Sequence, residues 1–190
     1  MSKKTVVAGV ILCIVVGLGV YYVAHPFFKK NILNISPTPA VTGESMKFTS
    51  PVFGNYQKIP TAYTCDGKKV HPPLVINEPP AGAKSLAIIV DDPDAPGSTF
   101  IHWVVWNIHP GTTMIEEGKV PSESQEGTNS AGSIGYTPPC PPGGEHRYFF
   151  TLYALDAKLG LDGKATKTDV ERSAKGHVMA QTVLVGVYSR

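Results

Sequence analysis

Three carboxylates, Asp91, Asp92 and Asp94, lie close together in the stretch Asp-Asp-Pro-Asp-Ala-Pro, directly after an apolar run. An aspartate before a proline often only caps a turn, by accepting hydrogen bonds from nearby backbone N–H groups. The two prolines also fix their own φ angles and restrict the residues before them, so this turn is predicted to be rigid. A rigid turn can aim a carboxylate, and the sequence therefore favours a carboxylate that braces a neighbouring group.

Two histidines are the candidates for that neighbour. His102 lies in an apolar, aromatic run, and His146 and Tyr148 lie at the end of a segment with four prolines and two glycines in thirteen residues, 136–148. Such a segment is stiff and is predicted to expose backbone N–H groups at Cys140, Gly143 and Gly144. Exposed N–H groups beside a histidine can hold a phosphate or a carboxylate. An aspartate beside a histidine orients the ring.

Other chemistry has less support in the sequence. A lone His102 is more often a satisfied, partly buried side chain than a ligand. His102, His146 and an aspartate would make a two-histidine, one-carboxylate metal set, but no tight spacing such as His-x-x-x-His supports a metal. Gly-Ser-Ile-Gly-Tyr does not match the nucleophile elbow Gly-x-Ser-x-Gly. We therefore predict a binding protein with no metal and no cofactor, and not an enzyme.

The segments that must position these residues read mostly as strands. Long β-branched and aromatic runs predict strands at 85–92, 100–108, 146–156 and 180–189, and a shorter one is expected within 46–53. In the third of these, alternation places Arg147 on the face opposite His146 and Tyr148, as a salt-bridge partner. One helix is predicted around 168–176, with Thr168 and Glu171 as its capping box and Gly176 as its C-cap. The fold class is predicted as mostly β, an antiparallel β-sandwich with one or two short helices.

The first 45 residues have a different character. Residues 5–24 carry no charge and are long enough to cross a bilayer as a helix, so 1–24 are predicted to form a membrane anchor. The alternative is a cleaved signal peptide. Residues 25–45, rich in Pro, Ser and Thr, read as a flexible tether, and 46–190 as the globular domain. The predicted protein is single-pass with its domain outside the cytoplasm, or secreted or periplasmic if the segment is cleaved. The formal net charge of +2 gives no support for nucleic acid as a partner.

The chain has three cysteines, Cys13, Cys65 and Cys140. Cys13 falls within the predicted anchor. If the domain lies outside the cytoplasm, Cys65 and Cys140 are a natural disulfide pair, because oxidising compartments favour disulfides. Two free structural thiols remain the alternative.

Several motifs together resemble the phosphatidylethanolamine-binding protein family, in its bacterial and archaeal, Raf-kinase-inhibitor-like branch. The resemblance covers 46–190. Its motifs stand in the expected order: DPDAP at 92–96, HWVVWNI at 102–108, PCPPGGEHRY at 139–148, LYALD at 152–156 and KGHVMAQTVLVGVYSR at 175–190.

The resemblance implies a β-sandwich with a small anion-binding pocket at one edge, and no cofactor. In the family this pocket binds phosphate-bearing head groups, phosphorylated side chains and similar small anions. Carried over position by position, the motifs place these residues in the pocket: Asp92, His102, Pro139, Cys140, Pro141, Pro142, His146 and Tyr148, with Asp94 as an accessory residue.

The chain also departs from the family pattern. Thr137 and Pro138 replace two glycines of the loop, so one backbone donor is lost and the loop is stiffer. His71 and Ile76 replace the serine and tryptophan of the Ser-Pro-Pro-Leu-x-Trp motif, and His71 is predicted as an accessory positive group near the pocket or as a surface residue. A C-terminal helix of the animal members has no counterpart, which argues against kinase inhibition of the animal type.

Three functions follow as hypotheses. The first is a membrane-tethered module that binds a small phosphorylated or otherwise anionic ligand. The second is an inhibitor or regulator of a protease or kinase that acts through protein–protein contact. The third is a weak hydrolase on small phosphoesters or esters.

Overall fold

A computed structural model describes residues 45–190. The predicted anchor, 1–24, and all but the last residue of the predicted tether, 25–45, lie outside these residues. Within the described part, no helix has the length and apolar character needed to span a bilayer. The elements in chain order are β1 Lys47–Thr49, β2 Gln57–Lys58, a 3-10 helix Thr61–Tyr63, β3 Leu74–Asn77, β4 Ser85–Asp92, β5 Phe100–Ile108, β6 Met114–Ile115, β7 Gln125–Glu126, β8 His146–Leu155, α1 Lys167–Ala174 and β9 Val178–Tyr188.

The strands form two sheets. The smaller sheet has the order β1-β3-β6 and the larger has the order β2-β9-β8-β4-β5-β7. All strand pairs are antiparallel except β2 with β9, which is parallel, so the prediction of a wholly antiparallel sandwich is wrong at this edge. The long strands lie where the sequence places them, since β4 and β5 match 85–92 and 100–108 and β8 begins at His146.

The main core lies between the two sheets, and β4 shows why its sequence is apolar without a break. Leu86, Ile88 and Val90 belong to the core shared with the smaller sheet. Ala87 and Ile89 point the other way, into a second apolar cluster that α1 covers. Because successive residues of a strand face opposite sides, a strand buried on both faces needs apolar residues at every position.

The N-cap of the helix lies two residues earlier than predicted. This N-cap is Thr166, whose side chain accepts from the Asp169 N–H while the Asp169 carboxylate accepts from the Thr166 N–H, so Thr168 and Glu171 are not the capping box. Both pairs have the required spacing of three residues, and the sequence alone does not separate them. Gly176 has a φ of +87° directly after the C-cap Lys175, which agrees with its predicted role in ending the helix.

Candidate functional site

A β-bulge in β5 positions His102. Val90 pairs with Trp103 and the next residue of β4, Asp91, pairs with Ile101, so His102 is an extra residue without a partner in this ladder. A bulge re-aims the side chains on either side of it. Here it lets His102 join the core-facing side of the sheet next to Trp103, where a regular strand would turn one of them outward.

The proline-rich loop is bound to this bulge by two hydrogen bonds. The Thr137 N–H donates to the His102 carbonyl at 2.8 Å, and the His102 Nδ1 donates to the Thr137 carbonyl at 2.7 Å. The His102 ring is buried and meets the Tyr148 ring edge-on, with 5.2 Å between ring centroids. Burial lowers the pKa of His102, which the hydrogen bond to Thr137 and the nearby aspartates oppose only in part.

His146 lies at the start of β8 and is held by Asp92 at the end of β4. These positions meet because β4 and β8 are antiparallel neighbours, so one strand ends where the other begins. The His146 Nδ1 donates to the Asp92 Oδ2 at 2.7 Å, and both side chains are less than a tenth exposed. The other oxygen of Asp92 accepts from the Asp94 N–H at 2.8 Å. Asp92 thus orients His146 and closes the rigid turn at the same time.

The other two aspartates of the turn have different partners. The Asp91 carboxylate pairs with the ammonium of Lys167 in α1. Asp94 accepts two hydrogen bonds from the Arg147 guanidinium, at 2.9 and 2.7 Å, and one from the Arg147 N–H at 3.0 Å. Arg147 is therefore a salt-bridge partner, as its position in the strand predicts. Asp94 is not among the residues that line the cavity, and its carboxylate is bound by Arg147.

We expect Asp94→Asn to change the acid stability of the domain. The Arg147 side chain lowers the pKa of Asp94 from 3.8 to about 2. A carboxyl with a lowered pKa contributes stability above its unfolded pKa and loses it as the pH falls through the folded pKa. At pH 7 the substitution should therefore lower the free energy of unfolding by about 1 kcal/mol. This value already allows for the solvent exposure of the pair.

The measurement is urea unfolding between about pH 7 and pH 2. The wild type should lose this contribution between pH 5 and pH 2, whereas Asp94→Asn should show a shallower decline. Arg147→Gln removes the same pair from its other side and should give the same curve. Parallel curves for wild type and variant would show that the pair does not act on acid stability.

A cavity of about 160 Å³ opens where β4 ends and β5 and β8 begin. At about 30 Å³ for each water molecule, this is room for roughly five waters, which suits a small ion or head group. The polar groups lie on strands, and the proline-rich loop and the Asp-Pro turn complete the wall. The lining residues are Asp92, Ala95, Pro96, Phe100, His102, Thr137, Pro138, Cys140, Pro141, Pro142, His146 and Tyr148.

The cavity therefore brings together Asp92, His102, His146 and Tyr148, which the motifs nominate, with Cys140, Pro141 and Pro142 of the loop. Five further lining residues were not predicted from the sequence: Ala95, Pro96, Phe100, Thr137 and Pro138. For Phe100 a signal was available, because it is two residues before His102 in the same strand, and their ring centroids are 4.8 Å apart.

Pro139, Gly143 and Gly144 do not line the cavity. Pro139 is buried, and its carbonyl accepts from the Cys65 N–H at 3.0 Å. Gly143 and Gly144, which the sequence nominates as backbone donors, follow Pro142, the last residue of the loop that lines the cavity. The lining residues do not alternate along the loop, since Thr137 and Pro138 and then Cys140, Pro141 and Pro142 are consecutive, so a strand-like pattern does not predict which loop residues face inward.

His71 is neither a pocket residue nor a surface residue. It is 3% exposed and stacks on Trp103, with ring centroids 4.5 Å apart and planes 13° apart. Its Nδ1 lies 3.0 Å from the Pro72 carbonyl oxygen, and burial lowers its pKa. His71 therefore acts as a flat core side chain, and the alternative of a surface residue is wrong.

A disulfide joins Cys65 and Cys140, whose Cα atoms are 5.4 Å apart. Together with the hydrogen bond from the Cys65 N–H to Pro139, it ties the proline-rich loop to the segment after the 3-10 helix. Because Cys140 also lines the cavity, this link fixes one part of the cavity wall.

Two polar atoms at the site are buried and have no partner in the described part of the chain, the His102 Nε2 and the Tyr148 hydroxyl. Buried polar groups are almost always paired, so an unpaired set in a cavity indicates a ligand or bound water. Burial raises the pKa of Tyr148, so its hydroxyl keeps its proton and can donate.

Comparisons with known proteins agree with this geometry. A sequence model described as phosphatidylethanolamine-binding protein matches residues 49–189. A UPF0098 protein of Methanothermobacter thermautotrophicus is 47% identical over 150 residues, which cover 76% of this chain and 99% of that protein. A Mycobacterium tuberculosis protein named as the lipoprotein LppC is 38% identical, over 86% of this chain and 82% of its own length.

Two solved structures are similar. A phosphatidylethanolamine-binding protein homologue from Chlamydia trachomatis superposes with a TM-score of 0.75 at 40% identity, over 77% of this chain and 98% of that one. Escherichia coli YbcL, described as a member of the mammalian family, gives a TM-score of 0.72 at 29% identity, over 77% of this chain and 99% of that one. The match covers almost the whole of both solved chains, which indicates that the matched part of this protein folds as a unit.

Proposed function

This chain belongs to the phosphatidylethanolamine-binding protein family, and from that membership and the geometry of the cavity we propose that residues 46–190 form a module that binds a small phosphorylated or otherwise anionic ligand. The observation that carries the proposal is the pair of anchored histidines. Each ring uses its Nδ1 for a hydrogen bond within the protein, to Thr137 for His102 and to Asp92 for His146. The Nε2 of each ring is then the atom left to meet a ligand, and prepositioned polar atoms in a small concave site favour binding.

The wall of the cavity supports the same proposal. Phe100 and the prolines of the loop and turn give the ligand an apolar surface, so the polar contacts are concentrated at the histidines and at Tyr148. The volume suits a phosphate-sized group with few further atoms. We propose binding rather than turnover by a thiol nucleophile, because Cys140, the one cysteine among the lining residues, is held in the disulfide.

We also propose that the module is tethered to a membrane. The uncharged segment 5–24 supports this, and so does the relative that is named as a lipoprotein. A protein anchored in this way would present the cavity outside the cytoplasm to ligands near the membrane surface.

The test is calorimetric titration of residues 45–190 with inorganic phosphate, phosphoethanolamine and phosphotyrosine, in the wild type and in His102→Asn/His146→Asn. The asparagine amide nitrogen lies near the place of the histidine Nδ1. It can therefore still donate to Thr137 or Asp92, while the Nε2 atom is removed. We expect saturable binding by the wild type to at least one of the three, and at least a tenfold loss in the variant, because two ligand contacts disappear.

His177→Asn is the matched control. His177 also donates through its Nδ1 to a carboxylate, Asp156, at 2.7 Å, but it is exposed and far from the cavity residues in the sheet. Its substitution should leave binding unchanged. If the double variant binds as tightly as the wild type, the two histidines are not ligand contacts. If the wild type binds none of the probes, the proposed function fails.

A further inference from the structure

The hydrogen bond between His102 and the loop determines which His102 nitrogen carries the proton. The Thr137 carbonyl oxygen can only accept, so the His102 Nδ1 at 2.7 Å must be the donor. Burial lowers the pKa of His102, so its ring is neutral near neutral pH. A neutral imidazole with its proton on Nδ1 presents Nε2 as an acceptor, and this Nε2 is buried without a partner among residues 45–190.

The groups around His102 do not provide a permanent cation. Asp91 and Asp92 of β4 favour a charged His102 ring, while His146 and burial oppose it. Tyr148 of β8 meets the ring edge-on and keeps its own proton.

The nearby basic side chains are used elsewhere. The residues that line the cavity include no lysine and no arginine. Lys167 pairs with Asp91, and Arg147 pairs with Asp94. A ligand that reaches the His102 Nε2 therefore meets an acceptor, and the residues that line the cavity offer it no fixed positive charge.

We propose that the cavity selects oxyanions that still carry a proton, such as hydrogen phosphate, over equally charged oxyanions that carry none, such as sulfate, because the Nε2 of His102 is a buried acceptor that needs a donor. This inference rests on the proposed function and adds the chemical class of its ligand. A P–OH group can donate a hydrogen bond to the Nε2 and keep its proton. An oxygen without a proton would face the Nε2 lone pair, unless His102 first takes up a proton from solvent.

The test compares two tetrahedral dianions that differ by one proton. At about pH 8, inorganic phosphate is mainly the hydrogen phosphate dianion, and sulfate has the same charge and nearly the same shape. Both are titrated into residues 45–190 by calorimetry at matched ionic strength, in two buffers with different ionisation enthalpies, so that the number of protons taken up is measured directly.

We expect phosphate to bind at least about tenfold more tightly than sulfate at pH 8, with no net proton uptake, because an unpaired buried acceptor is costly. Sulfate binding should take up about one proton and strengthen by about tenfold for each unit that the pH falls, until His102 is charged. His102→Asn should lose the preference for phosphate, since the Nε2 is absent.

The outcomes separate the two proposals. Equal affinity for phosphate and sulfate at pH 8, with no proton uptake, overturns the selectivity and leaves the anion site in place. No binding of either anion between about pH 5 and pH 8 overturns the proposed function itself. If His102→Asn binds neither anion, the number of protons that the wild type takes up with sulfate and with phosphate tests the selectivity by itself.

Discussion

Replacement of both Cys65 and Cys140 by serine is expected to lower the free energy of unfolding of the domain by about 4 kcal/mol. The two cysteines are 75 residues apart, so the disulfide closes a long loop in the unfolded chain. By the chain-entropy relation, a loop of this length restricts the unfolded state enough to give about that value. A loss of this size corresponds to a fall in Tm of roughly 10 °C for a domain of this length.

The measurement is thermal and urea unfolding of residues 45–190, which contain no other cysteine. A reductant should lower the Tm of the wild type by a similar amount. It should leave the double serine variant unchanged, and this comparison separates loss of the bond from any effect of the serines. A loss below about 1 kcal/mol would mean that the loop is constrained mainly by other contacts, such as the hydrogen bond from Cys65 to Pro139.

The same bond should also matter for the cavity, because Cys140 is part of its wall. The prolines around Cys140 are stiff, but they offer no backbone N–H groups with which to bind the loop to the rest of the protein. The loop is instead held by the disulfide, by the two hydrogen bonds between Thr137 and His102, and by the hydrogen bond from the Cys65 N–H to the Pro139 carbonyl. The double serine variant should therefore bind the ligand more weakly, in addition to having a lower free energy of unfolding.

The longest strands were predictable because their burial leaves a strong pattern. β4 is apolar from Leu86 to Val90 because this part is buried on both faces, and this run predicts the strand from Ser85 to the acidic turn. β2, β6 and β7 have only two residues each, which is too few for any alternation to be visible. Their positions depend on pairing with distant strands, which the local sequence does not contain.

The site was predictable in its chemistry and not in its geometry. The motifs nominate Asp92, His102 and His146, but regular alternation would place His102 and Trp103 on opposite faces of β5. Only the bulge, which depends on the pairing of β5 with β4, brings His102 to the inner side. His71 shows the opposite error, because a histidine suggested charge, whereas its stacking on Trp103 makes it a core residue.

The pair formed by Asp92 and His146 is expected to be strongly coupled, and a double-mutant cycle measures that coupling. Asp92→Ala would leave the His146 Nδ1 buried without an acceptor, and His146→Ala would leave the Asp92 carboxylate buried without its ring partner. Each single change should cost about 3 kcal/mol, because removal of one partner leaves a buried polar group without its hydrogen bond. The double variant should cost clearly less than the sum of the two, by at least about 1 kcal/mol.

A second pair in the same protein is the matched control. Asp156 and His177 have the same Nδ1–Oδ distance of 2.7 Å, but their side chains are about half exposed, against less than a tenth for Asp92 and His146. The same cycle on this pair should give a coupling below about 0.5 kcal/mol, because solvent screens an exposed pair. Equal coupling in the two cycles would show that burial adds nothing to the hydrogen bond, and Asp92 would then be a turn residue that only happens to touch His146. A large coupling confined to the buried pair would instead mean that the rigid acidic turn is what holds the histidine of the cavity in place.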